Sequence, residues 1–548
     1  MKLLPSPNRT ERNASCDRIC SYFLEKPLIE PFKISTGIPR DGSGRADQET
    51  RISGFLKVAL VLWSLVAGGI IVLLLAPTSF QSEARLYLIP WCIALGLVFL
   101  APAAFLTIKR HFDPFHPLIY PVWSYFFPGY VIGGLILAGG YSQAHYIAYI
   151  RDEQTDLPLT FFYIIIGFAG LIIGFASPWS RRIGEFIEHR LIQKWELSDA
   201  DARTGGAVLL GLGLVAMSLA FLLGIFGFQR SDEASSIGGL VATSTIFWYQ
   251  ATLILSLNIF RSRSHFWGNS AIMAILLVSA TANALLAGTR SGPMHFLLPI
   301  LAAFLYSGRK IVAKHYAIFA FVVLIAILVG MIYGTTFRNV RETPQMVSFD
   351  EYAASVPKTF ERIFEQDPLK VLGDGLSSLT TRIELVSSVA VVVSNYEILA
   401  PYEEELGISN NIMVETFTFF IPRVVWNDKP VSIEPAKYAE LYFNFRENSF
   451  SITPIGDLIR NFGPIGIPIG MFFIGGLLRV LHVTLIAHRQ FSYWRIPLYF
   501  LLITSVSYDG TFGGIVPTLF KTGVVATIGL VIVWLVTVKI NRRSLGTT

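Results

Sequence analysis

The sequence predicts an all-α polytopic membrane protein of about twelve transmembrane helices, with one large extracytoplasmic loop between the ninth and tenth. Three observations carry that prediction. Apolar residues make up 53% of the 548-residue chain and charged residues only 15%, with a positive mean hydropathy, outside the range of water-soluble domains. The apolar residues gather in runs near the length that crosses about 30 Å of hydrocarbon as a helix. Lys and Arg crowd every second connector, whereas the connectors between are short, neutral or acidic.

Residues 1–55 are polar, rich in Pro, Ser and charge, and have no apolar core that would serve as a cleavable signal peptide. They read as a cytoplasmic tail that is disordered or lies on a surface, with 22–38 apolar enough to rest on a membrane. Predicted spans follow at 56–77, 86–108, 117–139, 159–179, 205–228, 238–260, 268–288, 292–308, 315–336, 463–486, 496–508 and 520–539. The eighth and eleventh are short. The eleventh is a candidate re-entrant segment together with the GGIVPTLF stretch that follows it, which loosens the helix count between 490 and 522.

Orientation follows from the connectors. Basic ones carry Lys109 and Arg110, Arg181 and Arg182, Arg261 and Arg263, Arg309 and Lys310, Arg489 and Arg495, and finally Lys539, Arg542 and Arg543. Because Lys and Arg are retained on the cytoplasmic side, both termini are expected there, including the short tail 541–548. The connector 337–462 then faces outward, as does the turn 288–292. At this length it is more than a plain connector. Two semi-apolar stretches within it, 376–393 and 411–426, are expected to lie on the bundle or at the interface, over its outer mouth.

The net charge of +6 is accounted for by the basic connectors, and no nucleic-acid partner is expected. Cys16, Cys20 and Cys92 have neither the number nor the neighbours for a disulfide framework or a zinc site. No Walker motif is present, so ATP hydrolysis is not expected. The histidines, at 111, 116, 145, 189, 265, 295, 315, 482 and 488, all lie outside the long loop, which excludes imidazole chemistry and a histidine-ligated metal there. No cofactor is expected.

Several residues are candidates for chemistry. The turn Ala287-Gly288-Thr289-Arg290-Ser291-Gly292 offers one guanidinium among small residues, a fork of donors suited to phosphate oxygens. The alternative is a hairpin turn whose arginine snorkels to headgroups. Arg338, Arg341, Arg382, Arg423, Lys429, Arg446 and Arg460 supply further cations in the loop, to hold an anionic partner or to pair with loop carboxylates. In IPRVVWNDKP, Arg423 and Lys429 flank Trp426 between Pro422 and Pro430, which break any continuous helix. An indole there suits either a sugar face or a lipid interface. Asp457 precedes Arg460 and Asn461 near Gly456, Gly463, Pro464 and Gly466 at the entrance to the tenth span. Such a carboxylate is a general base held ionised by its arginine, or a helix N-cap in a salt bridge.

Taken together, GTRSG opening the eighth span, TTRIEL around Arg382, FIPRVVWNDKP, and SITPIGDLIRNFGPIGIPIGM resemble the Wzy-type oligosaccharide repeat-unit polymerases of bacterial surface polysaccharides. The similarity covers roughly 288–485; the first seven spans match only in hydropathy and number. It implies a multi-pass, GT-C-like glycosyltransferase of the bacterial cytoplasmic membrane. Such an enzyme acts on undecaprenyl-diphosphate-linked oligosaccharides at the outer leaflet, with membrane lipids, a chain-length regulator and a flippase as further partners. On that resemblance Arg290, Arg382, Arg423 and Arg446 hold the diphosphate, with Lys429 and Arg460 beside them. Trp426 stacks on sugar, and Asp457, or else Glu415, takes the proton of the acceptor hydroxyl. Asp at 457, where the family pattern expects Glu, shortens the reach of the carboxylate. Two alternatives are an O-antigen ligase, disfavoured by the missing loop histidine, and a flippase or exporter, disfavoured by the few ionisable residues within the spans.

Overall fold

A computed structural model describes residues 85–109, 112–142, 144–190, 196–225, 236–262, 266–289, 292–309, 313–341, 349–365, 383–421, 426, 435–445, 452–487 and 491–545. Among these residues the regular structure is entirely helical. In order the helices are α1 (Leu86–Ile108), α2 (Val122–Ala138), α3 (Glu153–Ala176), α4 (Pro178–Arg190), α5 (Asp199–Leu222), α6 (Gly238–Arg261), α7 (Phe266–Ala287), α8 (Gly292–Tyr306) and α9 (Ala313–Arg341). The remainder are α10 (Phe349–Glu365), α11 (Val386–Glu405), α12 (Asn411–Thr418), α13 (Pro435–Phe443), α14 (Thr453–Leu485), α15 (Arg495–Ser505) and α16 (Ile515–Leu545).

Among the described residues, seven helices are long and apolar enough to cross a membrane, and α2, α8, α15 and part of α9 are shorter apolar helices. Every predicted span from 86 onward therefore coincides with a helix, while the first, 56–77, lies outside the described residues. Boundaries move in instructive ways. The GGIVPTLF stretch is no re-entrant segment: from Ile515 it is the start of the continuous helix α16. Pro517 sits in the first turn, where a missing N–H costs nothing. Helix α14 begins ten residues earlier than hydropathy indicates, at Thr453, and breaks at Gly463, whose φ of 68° and ψ of −170° lie outside the helical region. It thus comprises a short half-helix, 453–462, set on a longer one. In the first turn Thr453 Oγ1 accepts the N–H of Gly456, so Asp457 does not serve as the cap.

The connectors segregate to two ends of the bundle. At one end Tyr493 donates to Asp199 Oδ1 at 2.8 Å and Asn258 Nδ2 to the Asp199 carbonyl at 2.9 Å. There too Arg261 stacks on Phe491 at 3.8 Å and Arg309 donates to the Phe260 carbonyl. These are the connectors rich in Lys and Arg. At the other end Arg85 forms a two-pronged pair with Glu153, and Ser142 donates to Glu384 at 3.1 Å. Asn395 Nδ2 also donates to the Tyr149 carbonyl there. The alternation of basic and non-basic connectors along the chain is a spatial separation in the fold.

The stretch 376–393 departs from expectation. Its described part does not lie on the bundle: residues 386–393 are buried on every side as the first two turns of α11, packed against α3, α13 and α14. Polarity did not keep this described part outside because Glu384 is paired within the fold. Glu384 accepts the Ser387 N–H at 2.8 Å as well as the Ser387 and Ser142 hydroxyls. Close approach is possible because α2 offers glycines here. A Cβ at Gly133 would stand 2.8 Å from the Ile383 carbonyl oxygen, and Leu385 N–H donates to the Gly129 carbonyl.

Among the described residues, helices α3 and α14 are the most extensively packed pair. Built onto the backbone, a Cβ at Gly174 would lie 1.9 Å from the Phe472 carbonyl oxygen, and one at Gly475 would lie 2.0 Å from that of Leu171. Small residues at such crossings let backbones touch, the main route to helix association where lipid and side chain are equally apolar. This pairing sets the half-helix 453–462 against the rest of the bundle.

Candidate functional site

Arg460, on the half-helix, is the hub of a buried polar cluster at the end of the bundle opposite the basic connectors. Its Nε lies 3.2 Å from Asp457 Oδ1 and its Nη1 lies 2.9 Å from Glu403 Oε2. Nη1 also donates to the Ile408 carbonyl at 3.1 Å, and Nη2 donates to Asn411 Oδ1. The guanidinium sits 5.5 Å from the centre of the Tyr438 ring, which stacks on Tyr442 at 4.6 Å. Tyr442 in turn donates to Glu403 Oε1 at 2.7 Å. One side chain therefore joins α11, the α11–α12 turn, α13 and α14.

Local sequence explains why each group arrives. Asp457, Arg460 and Asn461 are three and four residues apart, so they share one face of the half-helix. Asn461 Nδ2 donates to Asp457 Oδ1 at 3.1 Å, and also to the Asp457 carbonyl and Asn411 Oδ1. Tyr438 and Tyr442 are likewise one turn apart on α13, and Asn411 and Glu415 one turn apart on α12. From the α15–α16 connector, Gly513 N–H donates to Asp457 Oδ2 at 3.3 Å. Glu415 is buried against the same glycine, where an added Cβ would stand 2.6 Å from its Oε2.

Among the described residues the Arg460 guanidinium pairs with two carboxylates, Glu403 and Asp457. Burial pushes the Glu403 carboxyl up from its ordinary value, against the opposing pull of Arg460 and the Tyr442 hydroxyl. Burial likewise raises the Tyr438 and Tyr442 phenols, so both remain protonated donors. Asp457 is 0% exposed and its carboxylate accepts three hydrogen bonds, two on Oδ1 and one on Oδ2. Three buried polar atoms in the cluster, Asn411 Nδ2, Asn461 Oδ1 and Tyr438 Oη, have no hydrogen-bond partner among the described residues. Together they offer donors and an acceptor beside the carboxylates, the complement of a hydroxyl-bearing group.

Of the residues singled out from sequence, the fold brings Asp457, Arg460 and Glu415 together. Trp426 is exposed. Arg290, Arg382, Arg423, Lys429 and Arg446 lie outside the described residues. Glu403 was missed because it sits in the run Glu403-Glu404-Glu405, which reads as a solvated face. The spacing of Tyr438 and Tyr442 was a usable signal for a helix face. A further correction concerns histidine. Although none occurs in the long loop, His145, from the α2–α3 connector, places Nε2 at 3.2 Å from the Phe443 carbonyl at the end of α13. An imidazole therefore does reach the loop, because connectors distant in sequence share this end of the bundle. Comparison with known proteins returned no match: no family model, no curated protein and no solved structure matches this chain.

Proposed function

We propose that the protein is an integral membrane glycosyltransferase that polymerises undecaprenyl-diphosphate-linked oligosaccharide repeat units into a surface or extracellular polysaccharide. On this reading the chain has twelve spans in a GT-C-like arrangement, cytoplasmic termini and its long connector on the outer face of the cytoplasmic membrane. The observation that supports it is the Arg460 cluster, in which the DLIRN segment of the family-like motif meets the long connector at the end away from the basic connectors.

In the proposed reaction the acceptor hydroxyl oxygen attacks the anomeric carbon of the donor sugar. The glycosidic C–O bond forms, the bond from that carbon to the diphosphate oxygen breaks, and the electron pair leaves with the polyprenyl diphosphate. Arg290, Arg382, Arg423 and Arg446 offset the charge developing on the leaving group. Asp457 or Glu415 receives the hydroxyl proton. Trp426 and Lys429 contact the sugar and the diphosphate.

Deleting the gene is expected to shorten the surface polysaccharide from long chains to single repeat units, measured by gel electrophoresis of surface glycans. Disappearance of all units from the surface would instead identify an exporter. Arg290→Ala and Arg423→Ala are each expected to abolish polymer while the protein still inserts; normal chain length in both would remove their assigned roles. Glu415→Gln keeps shape and loses basicity, so polymer formation is expected to fall about 100-fold or more. Wild-type turnover in that variant would leave Asp457 as the base.

A further inference from the structure

Helix α10, at the start of the long connector, divides into three sectors. Val356, Thr359 and Ile363, three and four residues apart, turn one face toward the bundle, where Thr359 is fully buried and Val356 and Ile363 pack against the core. A second face carries Lys358, Glu361, Arg362 and Glu365 at the same spacing, all exposed. Between the two lie Pro357, Phe360 and Phe364, with Phe364 83% and Phe360 39% exposed. The Arg460 cluster does not account for an open phenyl face beside a charged one.

The level of this face in the bundle follows from α9. Helix α10 packs on α9, and the Phe360 ring lies 5.6 Å from that of Tyr333. Tyr333 in turn donates to the Leu285 carbonyl at 3.0 Å. Leu285 is two residues before the end of the candidate span Trp267–Ala287, whose 21 residues match a hydrocarbon layer of about 30 Å. That span begins just after the connector that follows Arg261, so its far end is the end away from the basic connectors. Phe360 therefore stands where hydrocarbon gives way to headgroups, and Phe364 is one turn along the same face.

We propose that α10 is an interfacial helix that seats Pro357, Phe360 and Phe364 in the bilayer leaflet at this end of the bundle and leaves its charged face to headgroups and water. A phenylalanine face beside a charged one, at the level where a span ends, is the arrangement that binds a membrane surface. Two phenyl rings supply at most about 500 Å², well short of the roughly 800 Å² that each partner commits to a stable protein interface, so a bilayer suits this face better than a second protein. The seat fixes the beginning of the long connector to the membrane, and it is independent of the glycosyltransferase reading.

The test is nitroxide accessibility in the full-length protein reconstituted into phosphatidylcholine vesicles. Labels are attached in the single variants Pro357→Cys, Glu361→Cys, Phe364→Cys and Glu365→Cys, all at exposed positions, in a background of Cys16→Ser and Cys20→Ser; Cys92 is fully buried and stays. Collision with oxygen, which partitions into hydrocarbon, is expected to exceed collision with a water-soluble nickel chelate several-fold at 357 and 364, and the order to reverse at 361 and 365. Position 357 decides alone should Phe364→Cys fail to fold, because the two share a face. Nickel contact at 357 and 364 equal to that at 361 would overturn the proposal by placing the face in water. Labels at 357 and 364 shielded from both reagents would overturn it as well, since protein would then cover the face.

Discussion

Replacing Arg460 with methionine is expected to destabilise the protein by about 3–5 kcal/mol, the cost of leaving buried carboxylates without their cation. Glu403 and Asp457 both lie within salt-bridge distance of this one guanidinium, and their side chains are 5% and 0% exposed. No water replaces the lost partner without opening α11, α13 and α14 from one another. Arg460→Lys is expected to fall between. A single ammonium cannot reach Asp457, Glu403, Asn411 and the Ile408 carbonyl together, since these are met by three different guanidinium nitrogens. Thermal unfolding in detergent, followed by the retained monodisperse fraction, reads the order wild type, Lys, Met. A methionine variant as stable as wild type would mean that the cluster is not the hinge-pin of this end of the bundle.

The second large effect is at the α3–α14 crossing. Gly475→Leu is expected to prevent correct assembly, and Gly475→Ala to cost about 1–3 kcal/mol, as overpacking does. The first atom that a Cβ would meet is the Leu171 carbonyl oxygen, 2.0 Å away, and backbone cannot rotate aside as a side chain can. Gly174→Ala, facing the Phe472 carbonyl, is expected to behave alike. Gly211 provides the contrast of opposite sign. It lies on α5 with nothing within 4 Å of an added Cβ, so Gly211→Ala is expected to be neutral or to stabilise by up to about 1 kcal/mol. Melting temperatures of the three alanine variants suffice. Equal shifts at 211 and 475 would show that helix propensity, not crossing geometry, governs these glycines.

The crossing also shows how far short-range pattern reaches. The run Gly170-Leu171-Ile172-Ile173-Gly174 is a small-residue repeat visible in the sequence, as is Gly466-Ile467-Pro468-Ile469-Gly470 on α14. Such repeats announce that a helix will be approached closely without naming its partner. Helix α4 makes a similar point. Its residues read as a basic connector because Arg181, Arg182 and Arg190 dominate its hydropathy, whereas Ser180, Gly184 and Glu188 are one buried turn after another. For the cluster, the i, i+3 and i, i+4 spacing of Asp457, Arg460 and Asn461 was legible, but the acid opposite them, Glu403, was hidden in a run of like charges.

By itself the sequence determined that the chain is a helical membrane protein, where its apolar helices from residue 86 onward lie, and that its connectors divide into two sets. Those properties are legible because a bilayer imposes rules read along one dimension: a length of apolar residues per crossing and a bias of charge per connector. Only the tertiary structure decided that 386–393 is interior, that Arg460 gathers Glu403, Asn411 and Tyr438, and that His145 meets the end of α13. Within a membrane the lipid-facing and protein-facing sides of a helix are both apolar, so hydropathy cannot tell them apart. The partners of a buried charge are then set by which backbones approach, and that depends on glycines as far apart in the chain as Gly174 and Gly475.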